Sequence, residues 1–362
     1  MLQLTSIKSL FLAKKMSALH SLVVEKINRL TDSSVAVSFA VPPTLMADFA
    51  YKAGQYLSIE APINGAAVRR SYSLSSAPHE NRLTVGIKKI DQGVFSSFAN
   101  DLLKEGDTLK VATPEGRFVY VPDHANQQLL LIAAGSGITP ILSILKTSLE
   151  KSASTTVQLI YGNKSPQVTM YQELLIALQE KYNDRLKISW IYSQTNEPNA
   201  LFGRIDEAIV KYGLNQCHKS PDHAYLCGPE AMIKTAQATL VEAKVAEENI
   251  HFELFTASEN TPPSAPKENG EVVLSIKTDE ESYTLSSTAG KTLLDAALQQ
   301  KIDVPYSCQG GVCCSCIAKV TKGSAKMENN QILTDDEIEE GLVLTCQAFP
   351  TTASVSIDYD DV

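Results

Sequence analysis

Four of the seven cysteines in this 362-residue chain lie within nine positions, in the stretch CQGGVCCSC (308–316). The spacing is Cys308-x4-Cys313-x2-Cys316, and Cys346 follows after 29 further residues. Four thiolates spaced in this way hold a 2Fe–2S cluster, with three ligands from one loop and the fourth from a distant segment. The spacing therefore predicts that Cys308, Cys313, Cys316 and Cys346 are the ligands of such a cluster.

Other uses of clustered thiols fit this pattern less well. Structural zinc is usually held by two CxxC-like pairs or by Cys/His pairs, and no histidine follows His251. A disulfide framework is typical of small secreted chains, whereas this chain is long and begins without a signal-peptide pattern. A redox-active pair of Cys313 and Cys316 would leave Cys308 and Cys346 without a role.

The cysteines outside the ligand set need separate explanations. Cys314 lies between two ligands and is expected to fill a position for a small residue. Gly310 and Gly311 would let backbone amides approach the cluster sulfurs. Cys217 is expected to be an ordinary residue rather than a ligand.

Negative charge is concentrated towards the C-terminal end. From Glu259 onward there are seven Lys, no Arg and 17 Asp and Glu, whereas the first 258 residues hold 25 basic and 24 acidic residues. Phosphate backbones require basic surfaces, so nucleic-acid binding is disfavoured. An acidic surface suits docking to a positively charged protein, although it can also serve solubility alone.

The chain contains no pattern for insertion into a membrane. No apolar run approaches the roughly 18 residues of a membrane span. The first residues carry lysines around a short apolar stretch, without a small-residue cleavage pattern. We therefore expect a cytoplasmic protein with an N-terminal extension at residues 1–17.

Strand and helix patterns divide the chain into three modules. Residues 18–124 contain short β-type runs separated by turns, which predict an antiparallel β-barrel. Residues 125–257 alternate strand and helix patterns, which predict an α/β domain with a parallel sheet. The proline-rich stretch 258–270 indicates a linker. Residues 271–362 combine paired strands, an amphipathic helix and the cysteine loop, as in a small α+β module of the β-grasp type.

Two motifs in the first module suit a flavin. In RRSYSLSS, the Arg70 guanidinium could bind a pyrophosphate, the Tyr72 ring could pack against a flavin, and the Ser73 hydroxyl could hydrogen-bond the ring nitrogen that accepts hydride. In QGVFSSF, Gly93 precedes a helix whose first turn contains Ser96, and backbone amides there bind phosphate. Taken singly, the two motifs are also compatible with an exposed strand face and an ordinary helix cap.

Two motifs in the second module suit a nucleotide. In AAGSGITP, Gly135 and Gly137 permit a tight turn and the close approach of a phosphate to a helix N-terminus, although the third glycine of the usual dinucleotide pattern is missing. In YLCGPEAM, Cys227, Gly228 and Pro229 end a later strand, where open α/β sheets bind ligands. Cys227 alone could equally be a buried structural thiol.

The Arg-x-Tyr-Ser, Gly-x-Gly-x-x-Pro and Cys-Gly-Pro motifs and the four-cysteine pattern, in this order, resemble those of the ferredoxin–NADP⁺ reductase superfamily with a plant-type ferredoxin domain at the C-terminus. The resemblance covers residues 18–362, and the order of modules is most similar to that of the reductase subunits of bacterial phenylacetyl-CoA epoxidases. It implies FAD binding by Arg70, Tyr72 and Ser73, with Gly93, Val94 and Ser96 at the pyrophosphate. It implies that a nicotinamide dinucleotide lies along Gly135, Gly137, Ile138, Thr139 and Pro140, with Cys227, Gly228 and Pro229 near the reacting ring. It also implies that Glu253 and Phe255 lie by the flavin, and that Ser73, Cys227 and Glu253 are the catalytic residues.

The three cofactors define an order of electron transfer. NAD(P)H gives two electrons as a hydride, a 2Fe–2S centre accepts one, and a flavin can accept a pair and pass electrons on singly. The predicted route therefore runs from NAD(P)H through FAD and the 2Fe–2S cluster to a partner protein. The resemblance implies that the donor is NADPH and that the partner is a diiron oxygenase acting on phenylacetyl-CoA.

Some parts of this prediction have alternatives. Lys164 and Arg204 are candidates for binding a 2′-phosphate, but Gln194 stands where many NADP-preferring relatives carry Arg, so NADH stays open. The acceptor could instead be a fatty-acyl desaturase, another oxygenase or a hybrid-cluster protein. A third alternative is a redox sensor whose cluster only reports. The Cys-Gly-Pro motif argues against the sensor, since a sensor need not bind nicotinamide.

Overall fold

The computed structural model describes residues 19–120, 122, 124–255, 270–288 and 290–362. Within these residues the chain divides into two compact units, one formed by residues 19–255 with 312–315 and the other by residues 270–311 with 316–362. The predicted N-terminal extension (1–17) lies outside the described residues, as does the predicted linker (258–270) except for Gly270. The predicted domain boundaries stay predictions.

The first part of the larger unit is an antiparallel six-stranded sheet with one helix, α1 (Val94–Asp101). Its strands are β1 (His20–Thr31), β2 (Ser34–Ala40), β3 (Tyr56–Ile63), β4 (Ala66–Ser73), β5 (Leu83–Lys88) and β6 (Thr108–Val111). They lie in the order β4-β3-β6-β1-β2-β5. A bridge between Leu74 and Val85 joins the two edges of this sheet, which confirms the predicted barrel. Its interior is filled by β-branched and aliphatic residues such as Val35, Leu57 and Ile59.

The second part of the larger unit is a parallel six-stranded sheet. Its strands are β7 (Gln128–Ala134), β8 (Thr156–Asn163), β9 (Leu186–Tyr192), β10 (Leu201–Phe202), β11 (His223–Cys227) and β12 (Ile250–Glu253). Its helices are α2 (Ile138–Lys151), α3 (Gln172–Tyr182), α4 (Glu207–Gln216) and α5 (Glu230–Glu242). The strand order is β10-β9-β8-β7-β11-β12. The order therefore reverses between β7 and β11, which is where such sheets bind ligands.

The smaller unit is a mixed sheet with two short helices. Its strands are β13 (Glu271–Thr278), β14 (Glu281–Thr288), β15 (Ile317–Lys322), β16 (Ala325–Met327), β17 (Leu342–Leu344), β18 (Ala348–Pro350) and β19 (Ser354–Asp358), and its helices are α6 (Leu293–Gln299) and α7 (Asp335–Glu339). Five strands lie in the order β14-β13-β19-β15-β17, and β16 pairs with β18. Buried and exposed residues alternate along β13, as expected for a sheet with one covered face. This unit confirms the predicted α+β module.

The lengths and compositions of the helices bear on membrane insertion. None of the helices in the described part of the chain is long and apolar enough to cross a membrane. This agrees with the sequence, in which no sufficiently long apolar run occurs.

Candidate functional site

The ends of β4 and β12 meet through a contact between a hydroxyl and a carboxyl group. Ser73 Oγ donates a hydrogen bond to Glu253 Oε2 over 3.0 Å. Burial raises the pKa of Glu253 to about 8, and the hydrogen bond from Ser73 offsets part of this rise. At neutral pH the carboxyl group is therefore largely protonated, and it can hold a proton beside the end of the barrel strand.

Cys227 is adjacent to this pair. It is aligned with Glu253 across the parallel strands β11 and β12, and its side chain is fully buried. Burial, together with the smaller effect of the Glu253 carboxyl, raises the pKa of the Cys227 thiol well above its ordinary value. The structure thus brings together Ser73, Cys227 and Glu253, although they come from three separate segments.

The Gly-x-Gly turn packs directly on the Cys-Gly-Pro motif. A Cβ atom at Gly137 would lie 2.2 Å from the carbonyl oxygen of Cys227, and a Cβ atom at Gly228 would lie 3.1 Å from Cβ of Ala134. The two turns follow β7 and β11, the strands between which the strand order reverses. Pro229 is exposed and precedes α5. The two nucleotide motifs therefore form one continuous surface at this edge of the sheet.

The turn after β7 is held by hydrogen bonds from buried side chains. Gly135 has a φ of 55°, a left-handed conformation that suits glycine. The hydroxyl of Tyr161 donates to the carbonyl oxygen of Gly135 over 3.0 Å, and Thr139 Oγ1 donates to the carbonyl oxygen of Ser136 over 3.0 Å. Of the five residues predicted to line the dinucleotide, only Gly135 is partly exposed, whereas the other four are buried: Gly137, Ile138, Thr139 and Pro140. These four buried residues can support the conformation of the turn from the protein interior.

Two lysines lie near this turn, and sequence reasoning missed the first of them. A Cβ atom at Gly135 would lie 3.7 Å from Nζ of Lys88, which ends β5 of the barrel. Burial and the nearby charge of Lys164 lower the pKa of Lys88. An anionic group at the turn would favour the charged form of Lys88 and so counteract both effects. The amines of Lys88 and Lys164 therefore fit a phosphate ligand. No local motif marks Lys88, because it reaches the turn only through the packing of the barrel against the parallel sheet.

The two predicted flavin motifs are joined by an aromatic contact. The rings of Tyr72 on β4 and Phe95 on α1 have centroids 5.4 Å apart. Arg70 is exposed on β4, two residues before Tyr72. Gly93 precedes α1, and a Cβ atom there would lie 2.4 Å from both Ile90 Cγ1 and Ser96 Oγ. An exposed guanidinium, an aromatic ring and a helix N-terminus on adjoining elements fit a flavin dinucleotide.

The remaining predicted flavin residues differ in exposure. Val94 is exposed in the first turn of α1, whereas Ser96 is buried and its hydroxyl accepts from the amide of Ile90 over 3.2 Å. Phe255 is 38% exposed and lies two residues beyond Glu253. An exposed aromatic ring at this position suits a residue that covers a ligand. The individual roles of these residues stay predictions.

Three of the four predicted cluster thiols lie close together in the smaller unit. The Cys346 thiol lies within hydrogen-bonding reach of the thiols of Cys308 and Cys316. The amide of Gly310 donates to Cys308 Sγ over 3.3 Å, as expected for a loop whose amides approach sulfur. Cys313, in the segment 312–315 that belongs to the larger unit, is buried as well. The three neighbouring thiols of Cys308, Cys316 and Cys346 fit a group that is ligated by thiolates; the assignment of all four ligands stays a prediction.

Two further observations concern metal ligation. Within the described ranges, no three His, Cys, Asp or Glu side chains converge as the ligands of one ion would. A 2Fe–2S cluster distributes its thiolates over two irons, so its ligands need not converge on a single point. Cys217, which we expected to be an ordinary residue, has its Sγ 3.6 Å from the carbonyl oxygen of Gly213, and burial raises its pKa to about 11. Such a thiol is a poor ligand because it stays protonated.

Three family models match successive parts of the chain. They describe an oxidoreductase FAD-binding domain at residues 21–120, an oxidoreductase NAD-binding domain at residues 131–238, and a 2Fe-2S iron-sulfur cluster binding domain at residues 276–351. The three matched ranges have the same order as the three predicted modules. FAD, a nicotinamide dinucleotide and a 2Fe–2S cluster are therefore the cofactors of this chain.

Several characterised proteins are similar over almost their whole length. The chain is 37% identical over 355 residues to a component of the 1,2-phenylacetyl-CoA epoxidase of Escherichia coli (strain K12), covering 95% of this chain and 99% of the relative. It is 34% identical over 350 residues to the 3-ketosteroid-9-alpha-monooxygenase, ferredoxin reductase component, of Rhodococcus rhodochrous, covering 94% and 95%. Both relatives are named as parts of oxygenase systems, and neither match is limited to a single domain.

A solved structure has the same fold. Phthalate dioxygenase reductase superposes with a TM-score of 0.59 at 22% sequence identity, over 94% of this chain and 98% of that chain. That protein is described as a modular structure for electron transfer from pyridine nucleotides to [2Fe-2S]. At this level of identity the likeness shows the fold alone, and it covers all three modules.

Proposed function

Since the chain belongs to the family of ferredoxin reductase components of oxygenases, we propose that its acceptor is a diiron oxygenase that epoxidises phenylacetyl-CoA. The observation that carries this proposal is the 37% identity to the component of the E. coli epoxidase, which extends over 95% of this chain and 99% of the relative. The chain would then serve phenylacetate catabolism by delivering electrons rather than by binding the acyl-CoA.

The first step of the reaction transfers a hydride from NAD(P)H. FAD, when bound, accepts this electron pair and allows electrons to be passed singly to a 2Fe–2S cluster. The protein must hold the nucleotide and the flavin in contact, because hydride transfer requires reacting atoms about 3–3.5 Å apart. We assign the nucleotide phosphates to Gly135, Lys88 and the first turn of α2. The flavin is assigned to Arg70, Tyr72 and the start of α1.

Ser73 at the end of β4 and Glu253 at the end of β12 are the residues that we assign to proton transfer. We assign Ser73 to the flavin, as the resemblance implies, and its hydroxyl donates a hydrogen bond to Glu253 Oε2. With a pKa of about 8, the Glu253 carboxyl can hold a proton near neutral pH and release it. The buried Cys227 thiol stays neutral, so it adds bulk and excludes water without adding a charge.

We propose NADPH as the preferred donor. Lys164 and Arg204 are both exposed. The amide of Gln194 donates to the carbonyl oxygen of Lys164 over 2.9 Å, which places the ends of β8 and β9 side by side. A 2′-phosphate at this edge could reach the Lys164 amine. The ratio of kcat/KM for NADPH and NADH checks this proposal: Lys164→Ala should lower that ratio, and an unchanged ratio would contradict it.

The acceptor is tested by capture and then by reconstitution. The tagged full-length chain is used to recover partners from native cells grown on phenylacetate, and the partners are identified by mass spectrometry. We expect diiron oxygenase subunits, followed by NADPH oxidation that depends on phenylacetyl-CoA when these subunits and the chain are mixed. The control is Cys308→Ser, which should bind the same partners without supporting turnover.

The likeness to the 3-ketosteroid monooxygenase reductase favours a second acceptor, a steroid-hydroxylating oxygenase. Recovery of such an oxygenase, or of a desaturase, would overturn the proposed acceptor. The electron route through FAD and the cluster would be unaffected by that result.

A further inference from the structure

Helix α2 contacts the barrel along one of its faces. Thr139, Ser143 and Lys146 are spaced four and three residues apart, so they lie on the same side of the helix. A Cβ atom at Gly86 of β5 would lie 2.6 Å from Cγ2 of Thr139. Ser143 Oγ donates to the carbonyl oxygen of Ser76 over 2.5 Å. The helix that starts at the nucleotide turn is therefore bonded to the barrel beyond its first turn.

These contacts converge on the residues that directly follow the flavin motif. The hydroxyl of Tyr171, which precedes α3, donates to Ser75 Oγ over 2.8 Å. The amide of Ala77 donates to Glu80 Oε2 over 2.7 Å, and the same carboxylate oxygen accepts from Lys146 Nζ over 2.6 Å. Hydrogen bonds therefore connect three consecutive residues to the half of the unit that carries the nucleotide turn. Ser75 and Ser76 are bonded to it directly, and Ala77 is bonded to it through Glu80.

The Ser143 hydroxyl does not need the barrel in order to be hydrogen-bonded. A serine or threonine inside a helix can satisfy its hydroxyl on the preceding turn. Thr147 does so on the carbonyl oxygen of Ser143 over 2.7 Å, and Ser148 does so on that of Leu145 over 3.0 Å. Ser143 is as deeply buried as Ser148, but it donates to the barrel instead. The arrangement favours a role for Ser143 in holding Ser76.

The hydroxyl of Tyr171 is directed in the same way. Tyr171 is 8% exposed, and burial raises the pKa of its phenol, which therefore remains a hydrogen-bond donor. It reaches Ser75, whose side chain in turn donates to the carbonyl oxygen of Thr84 on β5 over 3.1 Å. Ser75, two residues after the end of β4, is thus hydrogen-bonded both to β5 of the barrel and to Tyr171, in the half of the unit that carries the nucleotide turn.

We propose that Ser143 and Tyr171 are positioning residues for hydride transfer, which hold the end of the flavin strand at a set place relative to the nucleotide turn. The reacting atoms belong to ligands on the two halves, and a displacement of about 1 Å can cost up to about a hundredfold in rate. Because α2 begins at the turn and contacts Ser76 further along, a nucleotide that orders the turn should also order Leu74–Ala77. This inference rests on the flavin–nicotinamide chemistry of the family and not on the identity of the acceptor.

The test measures two quantities separately, the local order of residues 74–80 and the rate constant of flavin reduction. Full-length, FAD-loaded protein is compared with and without NADP⁺ by hydrogen–deuterium exchange, followed in a peptide that covers residues 74–80. Amides there exchange through local opening. We expect NADP⁺ to slow this exchange in the parent protein, and to have no such effect in the Ser143→Ala/Tyr171→Phe double variant. The rate constant of flavin reduction in a single turnover should fall by about tenfold, while the NADP⁺ dissociation constant is unchanged.

The matched control is Ser148→Ala, which removes a buried hydroxyl from the same helix but one that is bonded within it. It should behave as the parent in both measurements. Equal losses in the control and in the double variant would overturn the proposal, since any buried hydroxyl of α2 would then suffice. Parent-like protection and rate in the double variant would overturn it as well.

Single variants keep the test decisive if the double variant does not accumulate. Tyr171→Phe removes one oxygen atom and Ser143→Ala one hydroxyl, and each should give a partial loss of nucleotide-dependent protection. Full protection in both would contradict the proposal. A wrong assignment of the acceptor would leave all of these readouts unchanged, because none of them involves a partner protein.

Discussion

Gly137 lies against the carbonyl oxygen of Cys227, so closely that a Cβ atom at Gly137 would be 2.2 Å from it. This contact joins the two nucleotide motifs, which are 90 positions apart in the chain. It also explains why the second glycine of the turn is needed although its φ is ordinary. The close approach of two backbones, rather than a left-handed conformation, excludes a side chain at this position.

Gly137→Ala should therefore weaken nucleotide binding and lower the melting temperature. The obstructing atom belongs to the backbone, so relief requires the two turns to move apart, and such overpacking typically costs about 1–3 kcal/mol. NADP⁺ titration and thermal unfolding measure the two effects. Gly270→Ala is a suitable control, since no atom of the described residues lies within 4 Å of a Cβ atom there. Normal NADP⁺ affinity in Gly137→Ala would show that the turn tolerates separation.

The Glu253 carboxyl should make stability depend on pH. Its pKa is about 8 in the folded protein, above the ordinary value of 4.5. Between these values the carboxyl is protonated when folded and ionised when unfolded, so unfolding releases a proton and stability falls as the pH rises through this window. Ser73 and Cys227 are the groups beside it, and the thiol stays neutral there. Glu253→Gln removes the ionisation, so its melting temperature relative to the parent should rise from pH 5 to pH 8.

Melting curves of parent and variant at several pH values check this. The control is Glu247→Gln, which changes an exposed glutamate shortly before β12. A constant difference in melting temperature between the parent and Glu253→Gln at all pH values would show that the carboxyl ionises normally in the folded state.

The cysteine loop provides a test of the ligand assignment. Cys308→Ser should abolish electron transfer to acceptors that depend on the cluster, while hydride uptake by FAD continues, since the two centres are on separate modules. Cys314→Ser should retain the cluster. Iron content and visible absorption measure the cluster, and flavin bleaching by NADPH measures hydride uptake. Loss of iron from Cys314→Ser would show that the wrong four cysteines were assigned.

Lys88 should contribute to nucleotide affinity. Its amine lies beside the Gly135 turn, so Lys88→Met should raise KM for NADPH by about tenfold, consistent with the loss of one charge-assisted contact to phosphate. Lys89→Met is the control, because the neighbouring lysine pairs with Asp101 on the surface. The effect on KM should shrink at high salt. Equal kinetics in the two variants would remove Lys88 from the site.

The module order and the cofactor motifs could be predicted from the sequence alone. A cluster-binding loop, a glycine turn between strand and helix, and a strand ending in Arg-x-Tyr-Ser are short segments whose residue types and spacing carry the chemistry. The buried run of β7 and the alternation along β13 likewise express local periodicity. The barrel, the parallel sheet and the α+β module followed from these patterns.

The contacts that complete the site depend on tertiary structure. Ser73 and Glu253 are 180 positions apart, and Ser143 and Ser76 are 67 apart. Lys88 reaches Gly135 only because the barrel packs against the parallel sheet. No local pattern encodes such pairs, because each of them depends on how the barrel packs against the parallel sheet. The sequence alone thus determined which cofactors the chain can bind, whereas only the packing of the barrel against the parallel sheet decided which side chains hold their sites together.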